Sequence, residues 1–137
     1  MIVLDASVAV ASLFEDERTP AIVAAIASIA EAGAVVPALW RLEVANGLRM
    51  AIRRRRIDIA FRNASLARLS DLPIEIDAET NTHAWQATLH LADRYELTPY
   101  DAAYLELAQR RRLPLATLDG RLARAAADAG VERGLGV

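Results

Sequence analysis

Four acidic residues in this chain stand where apolar segments end or are interrupted: Asp5, Glu43, Asp101 and Asp119. Asp5 closes Ile2-Val3-Leu4, and Asp119 closes Leu115-Ala116-Thr117-Leu118. Asp101 opens Ala102-Ala103-Tyr104-Leu105, and Glu43 is embedded in Trp40-Arg41-Leu42-Glu43-Val44-Ala45-Asn46. A lone carboxylate is costly to bury unless it is paired or coordinates a metal. The fold must therefore give each acid a partner or bring them together at one edge, and convergence would create a site for a hard divalent cation.

The segments between these acids alternate in period. Ile2 to Leu4, Ala34 to Val36, Pro73 to Ile76 and Leu113 to Thr117 read as short buried strands, with a further short strand near Val131. Helical patterning covers about Ser7 to Phe14, a stretch from Thr19-Pro20 to near Gly33, and a long helix from Pro37 into Arg53 to Arg56. It resumes from Ile57 to Leu69, Asn81 to Tyr95, Thr98-Pro99 to about Arg111, and Arg121 to Ala129. Strands alternating with helices predict an α/β fold, with a central, mainly parallel sheet of four to five short strands flanked by helices on both faces. Asp5, Asp101 and Asp119 then fall at helix starts, two of them directly after a strand, and ligands in open α/β sheets bind outside the carboxyl ends of the strands.

Length and composition agree with one domain spanning residues 1–137: 54% of the chain is hydrophobic, enough for a sizeable core. Without cysteine there are no disulfides, thiolate zinc sites or thiol nucleophiles, which fits a reducing, cytoplasmic setting. The start lacks a basic n-region, and no apolar run approaches the roughly 18 residues a membrane span needs. All 16 basic residues are arginine, a bias explained first by base composition in so alanine-rich a chain. Its chemical consequence stands regardless, because arginine suits bidentate phosphate contact and no ammonium group is available.

Each acid also has a plain structural reading. Thr98-Pro99-Tyr100-Asp101 resembles a capping box, Asp119 suits the N-cap of the last helix, and Asp5 or Ser7 that of the first, each cap contributing about 1 kcal/mol. Glu43 has no local cation, since Leu39, Trp40, Asn46 and Gly47 are its helical neighbours, so its partner must come from elsewhere. Gly47 leaves space beside it, and Asn46 can hydrogen-bond a carboxylate or a metal-bound water. Thr117 and Ser7, each two residues from an acid, can orient Asp119 and Asp5. Asp77 ends a strand as Asp5 does and meets the same positional criterion. His83 and His90, seven apart, match no metal motif.

Carboxylates about 4 Å apart repel by roughly 1 kcal/mol in water and about 4 at an effective dielectric of 20, so a cluster needs a cation to relieve it. Oxygen-only ligation suits Mg²⁺ or Mn²⁺ rather than zinc, and a water so activated could attack a phosphodiester. Arg53 and Arg54 end the third helix. Arg54, eleven residues after Glu43, is nearly in phase with it and about 16 Å along a continuous helix, where it would meet a nucleic-acid strand at the rim. Arg112 closes a second such cluster, though solvated helix ends are the plain reading of both.

Val3-Leu4-Asp5-Ala6-Ser7, Pro37 to Asn46, Leu97 to Ala108 and Leu115 to Asp119 resemble, in order and spacing, the PIN-domain ribonucleases, specifically the VapC-type toxins of bacterial toxin–antitoxin pairs. The resemblance spans essentially the whole chain. It implies a Mg²⁺- or Mn²⁺-dependent endoribonuclease whose catalytic and metal-holding quartet is Asp5, Glu43, Asp101 and Asp119. It also implies an RNA substrate cut to a 5′-phosphate and a 3′-hydroxyl, a cognate VapB-type antitoxin whose C-terminal segment fills the groove, and a homodimer. Asp77 is outside that pattern. Receiver and dehalogenase-like phosphotransferases resemble each other in relying on a lysine, which this chain lacks. The remaining alternative is a non-catalytic α/β module that grips a partner peptide.

Overall fold

The computed structural model describes residues 1–136. Ile2–Leu4 forms β1, Ala34–Val36 β2, Ile74–Ile76 β3 and Leu115–Ala116 β4, all parallel in the order β3-β2-β1-β4. The helices are α1 (Ala6–Ala11), α2 (Pro20–Ala32), α3 (Trp40–Arg53), α4 (Ile59–Ser70), α5 (Thr80–His83), α6 (Ala87–Tyr95), α7 (Pro99–Arg111) and α8 (Gly120–Asp128). The chain steps outward from β1 to β2 and β3, then returns through α5, α6 and α7 to place β4 on the other side of β1. The direction of winding thus reverses between β1 and β4, where a doubly wound sheet opens a crevice at its carboxyl edge.

Val3, Leu4, Val35, Val36, Leu115 and Ala116 are all buried, as expected for a parallel sheet flanked by helices. Residues 102–108 of α7 are buried without interruption, and this helix packs on β1 and β4. Its start is locally encoded: Thr98 Oγ1 accepts the Asp101 N–H at 3.1 Å, and Pro99 occupies the first turn. Thr19 and Asp58 cap α2 and α4 in the same way. Among the described residues no helix is long and apolar enough to cross a membrane.

Three elements differ from the sequence expectation for identifiable reasons. Helix α3 begins at Trp40 rather than Pro37, because the Ala38 N–H is drawn to Thr80 Oγ1 at 3.0 Å and residues 37–39 turn instead. The helix expected over 81–95 is broken into α5 and α6, with Gln86 at φ −123°, ψ −92° and Trp85 turned out to solvent. The last strand is reduced to a bridge between Leu115 and Arg133. Gly134 lies so close there that an added Cβ would stand 2.7 Å from the Ala116 nitrogen, so only glycine fits.

Helix α6 ends on Glu96, whose left-handed backbone (φ 54°) lets the Leu97 N–H reach the Ala92 carbonyl at 3.0 Å. This is a glycine position occupied by a residue with a Cβ, and its negative charge also opposes the helix dipole. Glu96→Gly is expected to stabilise the protein by about 1 kcal/mol and raise the melting temperature by a few degrees in thermal unfolding. An unchanged or lower melting temperature would show the left-handed cost to be relieved already.

Candidate active site

Asp5, Glu43, Asp101 and Asp119 line one cleft at the carboxyl edge of β1 and β4, together with Ser7, Asn46, Glu17 and Leu118. Asp5 leaves β1 with its N–H bound to the Ala116 carbonyl at 3.0 Å, so the central strand delivers it directly. Its side chain does not cap α1. Instead Ser7 Oγ and Thr117 Oγ1 both donate to Asp5 Oδ2, each at 2.7 Å. Those hydroxyls in turn accept the Leu118 N–H at 3.1 Å and the Asp119 N–H at 3.0 Å. The loops after β1 and β4 are thereby tied through one carboxylate, and Thr117 orients Asp5 by its side chain and Asp119 through the backbone.

Asp119 is the N-cap of α8, accepting the Leu122 N–H on Oδ1 at 2.9 Å, so the capping reading and the cleft placement hold together. For Asp101 the capping box is only half made: Thr98 accepts from the Asp101 N–H, while among the described residues no N–H donates back to the Asp101 carboxylate. Burial pushes the Asp101 carboxyl up from its ordinary value, and the nearby charges of Asp119 and Asp5 push it further, against a smaller opposing contribution from Thr98.

The partner that Glu43 required is Tyr104, whose hydroxyl donates to Oε1. Burial raises the Glu43 carboxyl, Tyr104 opposes the rise, and Asp5 and Asp101 add to it. Tyr104 is fully buried, and its phenol is driven far above its usual range by that burial and by the charges of Glu43 and Asp5. Sequence reasoning passed over this tyrosine, although its spacing three residues from Asp101 on the same helix places it on the cleft face. Glu17 was also missed: it lies between the first two helices with no local feature that ties it to the cleft it lines. Gly47 lines the cleft with Glu43, as expected, and has a second purpose: an added Cβ would meet Val10 Cγ2 at 3.0 Å, so the glycine also lets α3 approach α1 closely.

The remaining candidates divide between the cleft and other parts of the surface. Asn46 lines the cleft without a side-chain hydrogen bond among the described residues. Arg53 ends α3, Arg54 is its C-cap, and Arg112 is the C-cap of α7, at the opposite end of that helix from Asp101; none of the three lines the cleft. Asp77 is committed elsewhere: Arg110 grips it at 2.6 and 3.1 Å, and Thr80 and the Glu79 N–H also bind it. Burial alone would raise the Asp77 carboxyl, but these bonds together hold it below its ordinary value.

The donor set fits a hard divalent cation. Asp5, Glu43 and Asp119 each spend one oxygen on a fixed protein donor, which leaves the other oxygen without a protein partner among the described residues. Among the described residues none of the quartet takes part in an ion pair, and the carboxyls of Glu43 and Asp101 are raised first by burial and further by their acidic neighbours. Among the described residues no group of three or more acidic or imidazole side chains is arranged to close around an ion. A divalent cation held there would take one or two carboxylates directly and keep several waters rather than sit in an all-protein cage.

A family model described as the PIN domain matches residues 2–128. Among solved structures, the crystal structure of PAE2754 from Pyrobaculum aerophilum superposes with a TM-score of 0.67 at 26% sequence identity, covering 90% of this chain and 78% of that one. No curated protein matches significantly.

Proposed function

Because the chain belongs to the PIN domain family, we propose that it is a divalent-metal-dependent endoribonuclease, with Asp5, Glu43, Asp101 and Asp119 as its catalytic and metal-holding groups. PIN domains are generally metal-dependent nucleases. The observation that carries the finer reading is the pairing of four converging carboxylates with the absence of any ion pair to them among the described residues.

Asp5 is the most rigidly held of the four, because Ser7 and Thr117 lock one of its oxygens and leave the other for the cation. Tyr104 fixes Glu43 in the same sense, and the α8 cap fixes Asp119. Asp101, whose carboxyl has only the small opposing contribution of Thr98, closes the ring. When bound, Mg²⁺ or Mn²⁺ would neutralise charge on the phosphate and lower the pKa of a water. Hydrolysis then adds the water oxygen to phosphorus while the bond to the 3′ oxygen breaks and that oxygen takes a proton, leaving a 5′-phosphate and a 3′-hydroxyl. Asn46, at the cleft wall, is placed to hydrogen-bond water or the RNA backbone.

Within the family we assign the chain to the VapC-type toxins, acting on cytoplasmic RNA and inhibited by a VapB-type antitoxin. The antitoxin and the homodimer rest on the resemblance of the motif set to that group.

The test is thermal unfolding of chelator-treated protein with and without millimolar Mn²⁺, repeated on Asp5→Asn and Asp119→Asn. At a concentration about tenfold above Kd the metal should stabilise the wild type by roughly 1.4 kcal/mol, a shift of a few degrees, and both substitutions should abolish it. A metal shift indifferent to both substitutions, combined with no cleavage of any cellular RNA, would replace the nuclease with a peptide-binding module.

A further inference from the structure

Beside the acid cleft, separated from it by the loop of residues 12–18, runs a second groove of opposite character. Phe14, Arg18, Arg55, Arg56, Phe61 and Arg68 contribute its aromatic and cationic lining. Glu15, Asp16 and Asp58 also line it: Asp16 pairs with Arg56, Asp58 caps α4 and keeps its charge, and Glu15 enters no ion pair among the described residues. Among the described residues neither Arg55 nor Arg68 enters an ion pair. The two sites meet at one contact. Arg56 donates to Glu17, which lines the acid cleft, at 2.8 Å, and to both oxygens of Asp16 at 3.1 Å.

The aromatic part is built as a stack. The Arg56 guanidinium lies 4.4 Å from the Phe14 ring centre, and Phe14 stacks on Phe61 at 6.1 Å with 19° between planes. Phe14 is buried, whereas Phe61 is 38% exposed. A core packing role accounts for Phe14 but leaves the solvent-facing part of Phe61 unused. Aromatic faces interleaved with guanidinium groups are what binds single-stranded nucleic acid, since every base has a face to stack and every nucleotide a phosphate.

Resting on the nuclease reading above, we propose that this groove is a subsite for the RNA strand flanking the scissile phosphate. A base stacks on Phe61, and Arg55, Arg56 and Arg68 meet the backbone. Arg56 is the hinge of the arrangement: in the free protein Asp16 and Glu17 hold its guanidinium in place, and an incoming phosphate competes with these carboxylates for it. The acid cleft has no cation of its own among its lining residues, so the backbone contacts on this side fall to Arg55 and Arg68, which are in no ion pair among the described residues, and to Arg56 once a phosphate displaces its carboxylates.

The experiment measures binding of a fluorescent single-stranded RNA by anisotropy at several salt concentrations. It uses the full chain carrying Asp101→Asn with Mg²⁺ present, so that binding is read apart from cleavage. Phe61→Ala should weaken binding roughly 5- to 150-fold, and Phe61→Tyr should restore it. Arg56→Gln should weaken binding and lower the salt slope by about 0.7, while Glu17→Gln should tighten it by removing the competing carboxylate. This opposition separates the proposal from a mere loop clasp, which both substitutions would break alike. If the Arg56 and Glu17 variants move affinity in the same direction, the subsite is overturned. If folded Phe61→Ala and Arg56→Gln proteins bind RNA as the parent does, the groove belongs to a protein partner and the nuclease reading stands. If the parent binds no RNA at low salt, both readings fall.

Discussion

Arg110→Met is expected to cost about 3–5 kcal/mol of folding stability, the largest effect of any single substitution outside the apolar core. Arg110 bridges two carboxylates that have almost no access to water: side-chain exposure is 4% for Asp77 and 6% for Glu106. It meets Asp77 at 2.6 and 3.1 Å and Glu106 at 2.8 and 3.0 Å, bidentate on each side. Methionine would fill much of the volume but leave two buried like charges with no cation. A lysine should recover only part of the loss, because a single ammonium cannot reproduce two forked contacts. The pH dependence has a definite sign. The folded-state carboxyl of Asp77 is held below its unfolded value, so its stabilising contribution is complete above the unfolded value and fades as pH falls through the folded one. The difference between wild type and variant should therefore shrink in acid. Urea unfolding at pH 7 and again near pH 3 measures both points, and a deficit under about 1 kcal/mol at pH 7 would show the network to be solvated.

The contrast between Asp77 and Asp5 marks where sequence information stops. Both end a short strand, and nothing local separates them. Asp5 faces hydroxyls from Ser7 and Thr117, and Asp77 faces a guanidinium 33 residues away. What is legible is what local chemistry decides: Thr19-Pro20 and Thr98-Pro99 start α2 and α7 where the capping pattern places them, and β1 and β2 match their apolar runs. What is not legible depends on contacts between distant segments. The start of α3 is shifted by a bond spanning 42 residues, from Ala38 to Thr80. The partner of Glu43 comes from 61 residues on. Arg54 keeps the helical bond of its N–H to the Met50 carbonyl at 3.0 Å, and the arginine that reaches the cleft is Arg56, beyond the left-handed backbone at Arg55, which the sequence did not single out. The convergence of Asp5, Asp101 and Asp119 was readable as a pattern, since strand ends and helix starts share one edge of such a sheet, whereas Glu43 joined them through the resemblance.

For Asp101→Asn the expectation is a loss of RNA cleavage of at least about 100-fold, with the fold intact and the metal-free protein at least as stable as wild type at neutral pH. The stability half follows from the cap. The bond that starts α7 runs from the Asp101 backbone N–H to Thr98 Oγ1, and an amide side chain leaves it untouched. The carboxylate itself is a burden when no cation is present: burial, Asp119 and Asp5 all raise its folded-state value above the unfolded one. The folded state then holds the proton more tightly, so stability from this group falls as pH climbs from the unfolded value through the raised one and is flat beyond. Asparagine carries no such penalty, which gives the variant its advantage above that window and none near pH 3. A divalent cation should reverse the order, stabilising wild type and not the variant, because the charge that strains the empty cleft is the charge that holds the ion. Melting curves across pH with and without Mn²⁺, set beside cleavage rates, test the argument as a whole. If the variant cuts RNA at the wild-type rate and its metal-free melting temperature falls, Asp101 serves only the helix start and the site loses one of its four acids.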